Sequence, residues 1–200
     1  MNRRHRDGRR RFPPLSIRRG QAPLVLAVLM LWTRPGFSQT LMNLADDPAY
    51  LADEVKAAFL YHFGTYVEWP ADEADFITIA VLEADALSNL LQQYLVDRTI
   101  GDRPVRTRVI TNISELTDEQ ILFIGSSANS RLDELLMALN GRPILVVTDA
   151  PEGLMDGAVI NFVEVGDRVQ FEISLASARE AGLTLSSRLL TAALYVEPVD

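Results

Sequence analysis

Few residues of this chain could carry out nucleophilic or acid-base catalysis. The sequence has no cysteine, which removes thiol chemistry, disulfide bonds and cysteine-type zinc sites. After residue 38 it holds one histidine, His62, and one lysine, Lys56. A Ser-His-Asp triad would have to use His62, which helical spacing places on an apolar face, and no GxGxxG, Walker, HExxH or GxSxG motif is present. We therefore predict a protein that is not an enzyme, with no catalytic residues, no metal site and no cofactor.

One stretch could instead hold a small ligand. The segment "GSSANSR" (125–131) follows an apolar strand-like run, and its hydroxyls and amides at a helix start could bind a carboxylate or a phosphate. Asp149 ends the next apolar run, and parallel strands place such ends at one edge of a sheet. The candidate ligand-binding residues are Ser126, Ser127 and Asp149. Serine at a helix start is also an ordinary cap, so both interpretations stay open.

The charge of the chain is divided unevenly. The net charge is −8, yet residues 1–38 contain nine arginines and one aspartate, followed by an acidic body. An apolar stretch over 22–32 and small residues at Gly36 and Ser38 predict a cleaved signal peptide over 1–38, with an uncleaved anchor as the alternative. The pair Arg18–Arg19 leaves Sec and Tat export open. We expect a single domain over 39–200 in the periplasm, too acidic to favour nucleic acid.

Hydrophobic periodicity then indicates how the body folds. Apolar or alternating runs predict strands over 75–83, 103–110, 120–125 and 142–149, with a hairpin formed by 158–165 and 168–175. Helical spacing predicts helices over 49–67, 85–97, 126–141, 176–181 and 185–196. Alternating strands and helices predict an α/β fold: a three-layer sandwich with a mostly parallel central sheet, an antiparallel hairpin at one edge and helices on both faces.

The first helix is the most distinctive element. Its sequence, "VKAAFLYHFGTYVEWP" (55–70), is rich in aromatic residues and ends at Trp69-Pro70. The spacing predicts that Lys56 lies on the solvent side. It predicts that the opposite, core face carries Val55, Ala58, Phe59, His62, Phe63, Tyr66 and Val67. On this interpretation the aromatic run is a packing surface and not a reactive site.

This opening segment, together with "GAVINFVEVGDRVQFEISLASAREAGLTLSSRLLTAAL" (157–194), resembles the YfiR-like family of small secreted proteins. The resemblance covers about 53–194 and implies a periplasmic regulator that binds the sensor domain of an inner-membrane diguanylate cyclase and represses cyclic-di-GMP signalling. It implies a second partner, an outer-membrane lipoprotein, and leaves a homodimer open. His62 stands where the family usually has Asn, and the cysteines of well-studied relatives are missing, which argues against redox control.

The C-terminal part offers a candidate contact patch for such a partner. In "AREAGLTLSSRLL" (178–190), leucines and arginines surround a glycine turn, a combination common at interfaces. The candidate partner-binding residues are Arg179, Leu183, Leu185, Arg188 and Glu172. The alternative is that both leucines pack inward and that Arg188 pairs with Glu172. A different function, a small-ligand-binding module that feeds another membrane signalling system such as a histidine kinase, also stays open.

Overall fold

The computed structural model describes residues 48–70 and 74–199, and these lie within one compact unit, Met42–Asp200. The predicted signal peptide (1–38) is outside the described residues. The helices are α1 (Pro48–Tyr66), α2 (Asp85–Tyr94), α3 (Leu132–Leu139), α4 (Leu175–Glu180) and α5 (Ser187–Ala192). The strands are β1 (Val67–Glu68), β2 (Ile77–Leu82), β3 (Thr99–Ile100), β4 (Arg103–Ile110), β5 (Ile121–Ile124), β6 (Leu145–Thr148), β7 (Ile160–Val165), β8 (Arg168–Ser174), β9 (Thr184–Leu185) and β10 (Tyr195–Glu197).

The main sheet has the strand order β10-β8-β7-β6-β5-β2-β4-β3. Its pairs are parallel except for β3 with β4 and for the β7–β8 hairpin, which are antiparallel. The predicted α/β class with a mostly parallel sheet is thereby confirmed. The hairpin, however, is not the outermost element, because β10 adds to β8 in parallel at that edge.

Helices cover both faces of this sheet, so the fold has three layers. On the first face α1, α2, α4 and α5 share a core with the central strands. On the second face α3 packs over β2, β5 and β6. The first-face core contains a group of phenylalanines in which Phe63 lies 5.1 Å from Phe171 and 5.8 Å from Phe162, measured between ring centroids. Such ring pairs add to the free energy of burial, and without disulfides this burial holds the fold together.

The chain leaves α1 along a fixed path. Trp69 donates its indole Nε1–H to the carbonyl oxygen of Gln120 at 3.0 Å. The short strand β1 pairs with β9, so that Val67 lies opposite Leu185. The Trp69 bond therefore fixes the end of the first helix beside β5, and the β1–β9 pairing ties it to the C-terminal part of the chain.

Two predicted helices differ from the observed elements. Residues 126–141 begin as a 3-10 helix over Ser126–Arg131, and the α-helix starts only at Leu132. The predicted helix over 185–196 is shorter, and its last residues form β10 instead. These residues form a strand and not a helix because their backbone pairs with β8. The hydrogen bond from the Leu194 amide to Phe171 O, 2.8 Å long, begins this pairing.

Candidate functional site

Lys56 lies at the centre of the carboxyl edge of the sheet. Its Nζ donates to Asp149 Oδ2 at 2.6 Å and lies 3.7 Å from Asp53 Oδ1. The other oxygen of Asp149, Oδ1, accepts the backbone amide of Ser126 at 2.7 Å. One carboxylate thus joins α1 to the ends of β5 and β6.

The prediction that Lys56 faces solvent is wrong. Lys56 is only 8% exposed, whereas His62 is exposed and Val55 is 41% exposed. The buried face of α1 is rotated relative to the prediction and consists of Lys56, Ala57, Leu60, Phe63 and Gly64. The charge of Asp149, which is 93 residues away along the chain, makes this position favourable for an ammonium group.

His62 is exposed and therefore does not belong to the core face, which corrects the prediction that it is a buried or half-buried packing residue. Its ring lies edge-on to Tyr61, with the centroids 5.3 Å apart. Phe63 and Val67 are buried as predicted, and Phe59 and Tyr66 are half-buried against the core. Ala58 is half-buried, so Val55, Ala58 and His62 lie toward the outer side of the helix.

Asp53 is the second carboxylate close to Lys56. Burial raises the pKa of Asp53 above its usual value, and the nearby charges of Asp149 and Glu164 raise it further. Lys56 acts in the opposite direction, through its charge and its hydrogen bond, without cancelling these effects. This edge of the sheet therefore carries more negative charge than its single ammonium group neutralises.

The structure brings the three candidate ligand-binding residues together. Ser126, Ser127 and Asp149 line a shallow pocket of about 270 Å³, and Ser126 and Ser127 are exposed. Gly125 is required there, because a Cβ at this position would lie 2.3 Å from the carbonyl oxygen of Glu83. Asp149 itself occupies the Ser126 amide, which is thus not free to bind an external anion.

A larger cleft, about 860 Å³ in volume, begins at the same strand ends and is lined by Lys56 and by residues of the β6–β7 loop, β7, β8 and β10. Five carboxylates line it, against one cation, Lys56. They are Asp149, Glu152, Glu164, Glu172 and Glu197.

The wall of this cleft is the loop between β6 and β7. In the orientation that satisfies its amide, the buried Asn161 donates to Thr148 O at 3.2 Å and to Ala150 O at 3.1 Å. Gly153 packs so closely that a Cβ there would lie 2.4 Å from Thr148 Cγ2. The same cleft is bordered by two exposed nonpolar side chains, Met155 (81% exposed) and Tyr195 (51% exposed). The cleft therefore combines negative charge with adaptable apolar contacts.

The predicted partner-binding residues differ in their surroundings. Leu183 is only 7% exposed and belongs to the first-face core, and Leu185 is half-buried against it, so the structure supports the inward-packing alternative for the leucines. Arg179 and Arg188 are exposed on α4 and α5. Glu172 lines the acidic cleft. Whether these residues contact a partner stays a prediction.

Sequence reasoning missed the cleft as a unit. Its carboxylates come from the β6–β7 loop and from β7, β8 and β10, and the first two residues of β10 were predicted as helix. The only sequence signal for such a cleft was the acidic composition of residues 39–200. Within residues 48–70 and 74–199, no group of three His, Asp or Glu side chains is arranged to hold a metal ion. No helix in this part of the chain has the length and hydrophobicity that a membrane span requires.

The structure is thus an α/β domain with an open, negatively charged cleft at the carboxyl edge of its sheet. Its sequence places it more closely: the chain belongs to the YfiR/HmsC-like family, whose profile matches residues 53–193. No curated protein sequence matches the chain.

Two solved structures show a partial likeness. One is a conserved domain protein from Vibrio cholerae O1 biovar eltor str. N16961, with 13% identity and a TM-score of 0.45, covering 60% of this chain and 54% of that one. The other is an ABC domain in complex with L-Trp from Streptococcus pneumonia, with 12% identity and a TM-score of 0.48, covering 74% of this chain and 60% of that one. This chain thus spans little more than half of the length of either structure, and neither likeness carries an argument about function.

Proposed function

We propose that this protein is a periplasmic repressor that binds the periplasmic sensor domain of an inner-membrane diguanylate cyclase and so lowers cyclic-di-GMP output. Membership of the YfiR/HmsC-like family supports a regulatory role over an enzymatic one. In this proposal an outer-membrane lipoprotein competes for the repressor and releases the cyclase.

The acidic cleft is the observation that carries the proposal. Five carboxylates line it, and its one ammonium group, Lys56, is already bound to Asp149 at 2.6 Å. An unneutralised negative cleft favours a positively charged segment and accelerates its association. Met155 and Tyr195 supply apolar contacts for the stems of lysine or arginine side chains. In this proposal the sensor domain binds through a basic segment of its own, which occupies this cleft.

Two measurements test this function together. Deletion of the gene should raise the cellular cyclic-di-GMP level, and the purified chain without residues 1–38 should bind the periplasmic domain of a membrane diguanylate cyclase from the same organism. An unchanged cyclic-di-GMP level in the deletion strain would count against the repressor role. Binding without any change in cyclic-di-GMP would reassign the partner to another signalling system.

A second candidate is a small-ligand-binding module that feeds a receptor such as a histidine kinase. The observation that favours it is the pocket of about 270 Å³ shared by Ser126, Ser127 and Asp149. With the Ser126 amide occupied, the serine hydroxyls are the groups left to bind a ligand. A thermal-shift screen of amino acids and small anions tests this candidate. A rise in Tm that Ser127→Ala abolishes supports it, and a uniformly flat response removes it.

A further inference from the structure

The strand β4 lies near the end of the main sheet that is opposite to the cleft strands β8 and β10. One side of β4 pairs with β2 along residues 105–110. On its other side, β3 pairs only with Arg103 and Pro104. In the part of the chain that the structure describes, no strand pairs with this outer side along residues 106–110. We define these residues as the open edge.

The direction of the backbone shows which polar groups the open edge presents. The amide of Val105 points away from β2, because it donates to Arg98 O at 3.0 Å on the β3 side. The backbone groups of successive strand residues point to opposite sides, so those of Thr107 and Val109 point outward as well. Val109 is 45% exposed. An added strand forms its hydrogen bonds with outward backbone groups of this kind.

The open edge is positively charged in an otherwise acidic domain. Four of the ten Lys and Arg residues after residue 38 lie within 98–108, a segment that contains one acidic residue, Asp102. Arg106 and Arg108 are both exposed, and their spacing of two places them on the same face of β4. Charged side chains on an edge strand discourage unspecific pairing. Because both charges are positive here, they repel a basic strand and attract an acidic one.

The two arginines are held in place by neighbouring side chains. Arg106 donates Nε–H to Thr78 Oγ1 at 2.9 Å, and its guanidinium carbon lies 4.5 Å from the centroid of the Phe76 ring. Arg108 donates to Glu119 Oε1 at 2.6 Å. Among the described residues, Arg108 thus has a carboxylate partner, whereas Arg106 is in no ion pair. A guanidinium that is already fixed loses little side-chain entropy when it binds a further carboxylate, so Arg106 is the main anchor.

We propose that the open edge binds an acidic, extended segment of a partner protein, which adds to the sheet as a further strand. A carboxylate of this segment faces Arg106 on one face of the sheet, and an apolar side chain contacts Val109 on the other face. The inference goes beyond the repressor function and does not depend on the identity of the cyclase. With the acidic cleft at the other end of the sheet, one molecule can hold a basic and an acidic segment together.

A single strand fits this edge better than an anionic membrane does. At physiological salt, charges separated by more than about 10 Å are largely screened, so a strand experiences mainly the arginines beside it. A membrane is a flat surface and would also approach the carboxylates of the surrounding domain, which repel it. The outward backbone groups of Thr107 and Val109 supply directional hydrogen bonds that only a peptide backbone matches along their whole length.

Selection from a library of random linear peptides, with the chain without residues 1–38 immobilised, tests the proposal. We expect enriched peptides to carry carboxylates at alternate positions. The most enriched peptide, synthesised with a fluorescent label, then serves as the probe in anisotropy titrations. Arg106→Glu should weaken binding of the probe at least about tenfold. Arg168→Glu is the matched control, because it makes the same charge change at a side chain that is 81% exposed on β8, and it should bind like the wild type.

A proline substitution separates strand addition from simple charge attraction. Val109→Pro removes an outward amide that takes no part in the pairing with β2, so the variant should fold and yet bind the probe at least about tenfold more weakly. Val109→Thr keeps the amide and should bind nearly as well as the wild type. Circular dichroism melts check that the variants fold. Hydrogen exchange of the wild type needs no variant, and the probe should protect the amides of Thr107 and Val109.

Three results would overturn the inference. The first is a selection that does not enrich acidic peptides over the starting library. The second is a probe that binds Val109→Pro as tightly as the wild type and leaves the exchange of 106–110 unchanged, since the contact would then not be a strand. The third is binding to phosphatidylglycerol vesicles that Arg106→Glu abolishes, without enrichment of acidic peptides, which would make the edge a membrane contact. None of these results affects the proposed repressor function.

Discussion

The inner and the outer side of α1 border surfaces of different chemistry. Lys56 is buried against Asp149, at the border of a cleft with five carboxylates, whereas the adjacent Val55 is 41% exposed beside an apolar groove. Successive helical residues point about 100° apart, so one step along the sequence moves from one surface to the other. The comparison shows that a single helix can border two chemically different surfaces, one negatively charged and one mainly apolar.

The largest expected effect concerns the inner side. Lys56→Met leaves the carboxylates of Asp149 and Asp53 without their ammonium partner in a mostly buried site. We expect a loss of about 3 kcal/mol in the free energy of unfolding, because removing one member of a buried pair exposes the full desolvation cost of the other. Urea denaturation measures this loss.

The control for this variant is Arg131→Met. Arg131 pairs with Glu83 near the same strand ends, but both side chains are at least one third exposed. We expect a loss below about 1 kcal/mol, as is usual for exposed ion pairs. Equal losses for the two variants would mean that the Lys56 contact is no more important than a surface pair.

The next effect concerns partner binding in the cleft. The double variant Glu172→Gln and Glu197→Gln removes two cleft carboxylates without changing side-chain size. We expect about tenfold weaker binding of the cyclase sensor domain at low salt, mainly through slower association, and a smaller difference at high salt. Biolayer interferometry at two ionic strengths measures both rates.

Asp167→Asn with Glu180→Gln serves as the control for the cleft variant. Both carboxylates are exposed and neither lines the cleft. The control loses the same net charge. If it weakens binding as much as the cleft variant does, overall charge and not the cleft determines the affinity.

A smaller effect is expected on the outer side. Val55 is 41% exposed, so Val55→Ser removes little buried apolar surface and should lower the free energy of unfolding by less than about 1 kcal/mol. Urea denaturation measures this loss, and a loss as large as that of Lys56→Met would contradict the contrast between the two sides of the helix.

The smallest effect is a pH dependence of stability at Asp53. The pKa of Asp53 is raised in the folded state by burial and by neighbouring carboxylates, so the folded protein holds this proton more tightly than the unfolded chain does. Its contribution to stability is present below the ordinary aspartate pKa and is lost as the pH rises through the raised value.

Asp53→Asn tests this dependence. The variant should gain stability relative to the wild type as the pH increases from about 3.5 toward 7, because the amide carries no charge to desolvate. Urea denaturation over that range measures the difference. A gap that narrows with increasing pH would show that attraction to Lys56 outweighs the burial of Asp53.

Much of the fold could be predicted because the spacing of hydrophobic residues along the sequence shows which side of each helix or strand is buried. The predicted strand over 103–110 coincides with Arg103–Ile110, and the predicted helix over 49–67 lies within one residue of Pro48–Tyr66. The predicted helix over 185–196 was wrong at its end because the segment's apolar spacing fits either structure. Pairing of Tyr195–Glu197 with β8 is a tertiary effect that no local pattern contains.

The site was predicted less completely than the fold. Ser126, Ser127 and Asp149 were expected to lie together, and they do. The burial of Lys56 was not expected, because a lysine in an amphipathic helix is normally assigned to the solvent side. Its ion-pair partner, Asp149, is 93 residues away along the chain, so no local pattern could reveal it. The acidic cleft was not expected for the same reason, since it forms only when separate strands and a loop come together.

Hydrogen-exchange mass spectrometry with and without the cyclase sensor domain tests the central claim most directly. If the acidic cleft is the contact surface, binding should protect the amides of 151–156 and 195–197, at the cleft's loop and edge strand, and leave 51–62 on α1 unchanged. Protection confined to 51–62, or none with the sensor domain at saturating concentration, would contradict the account.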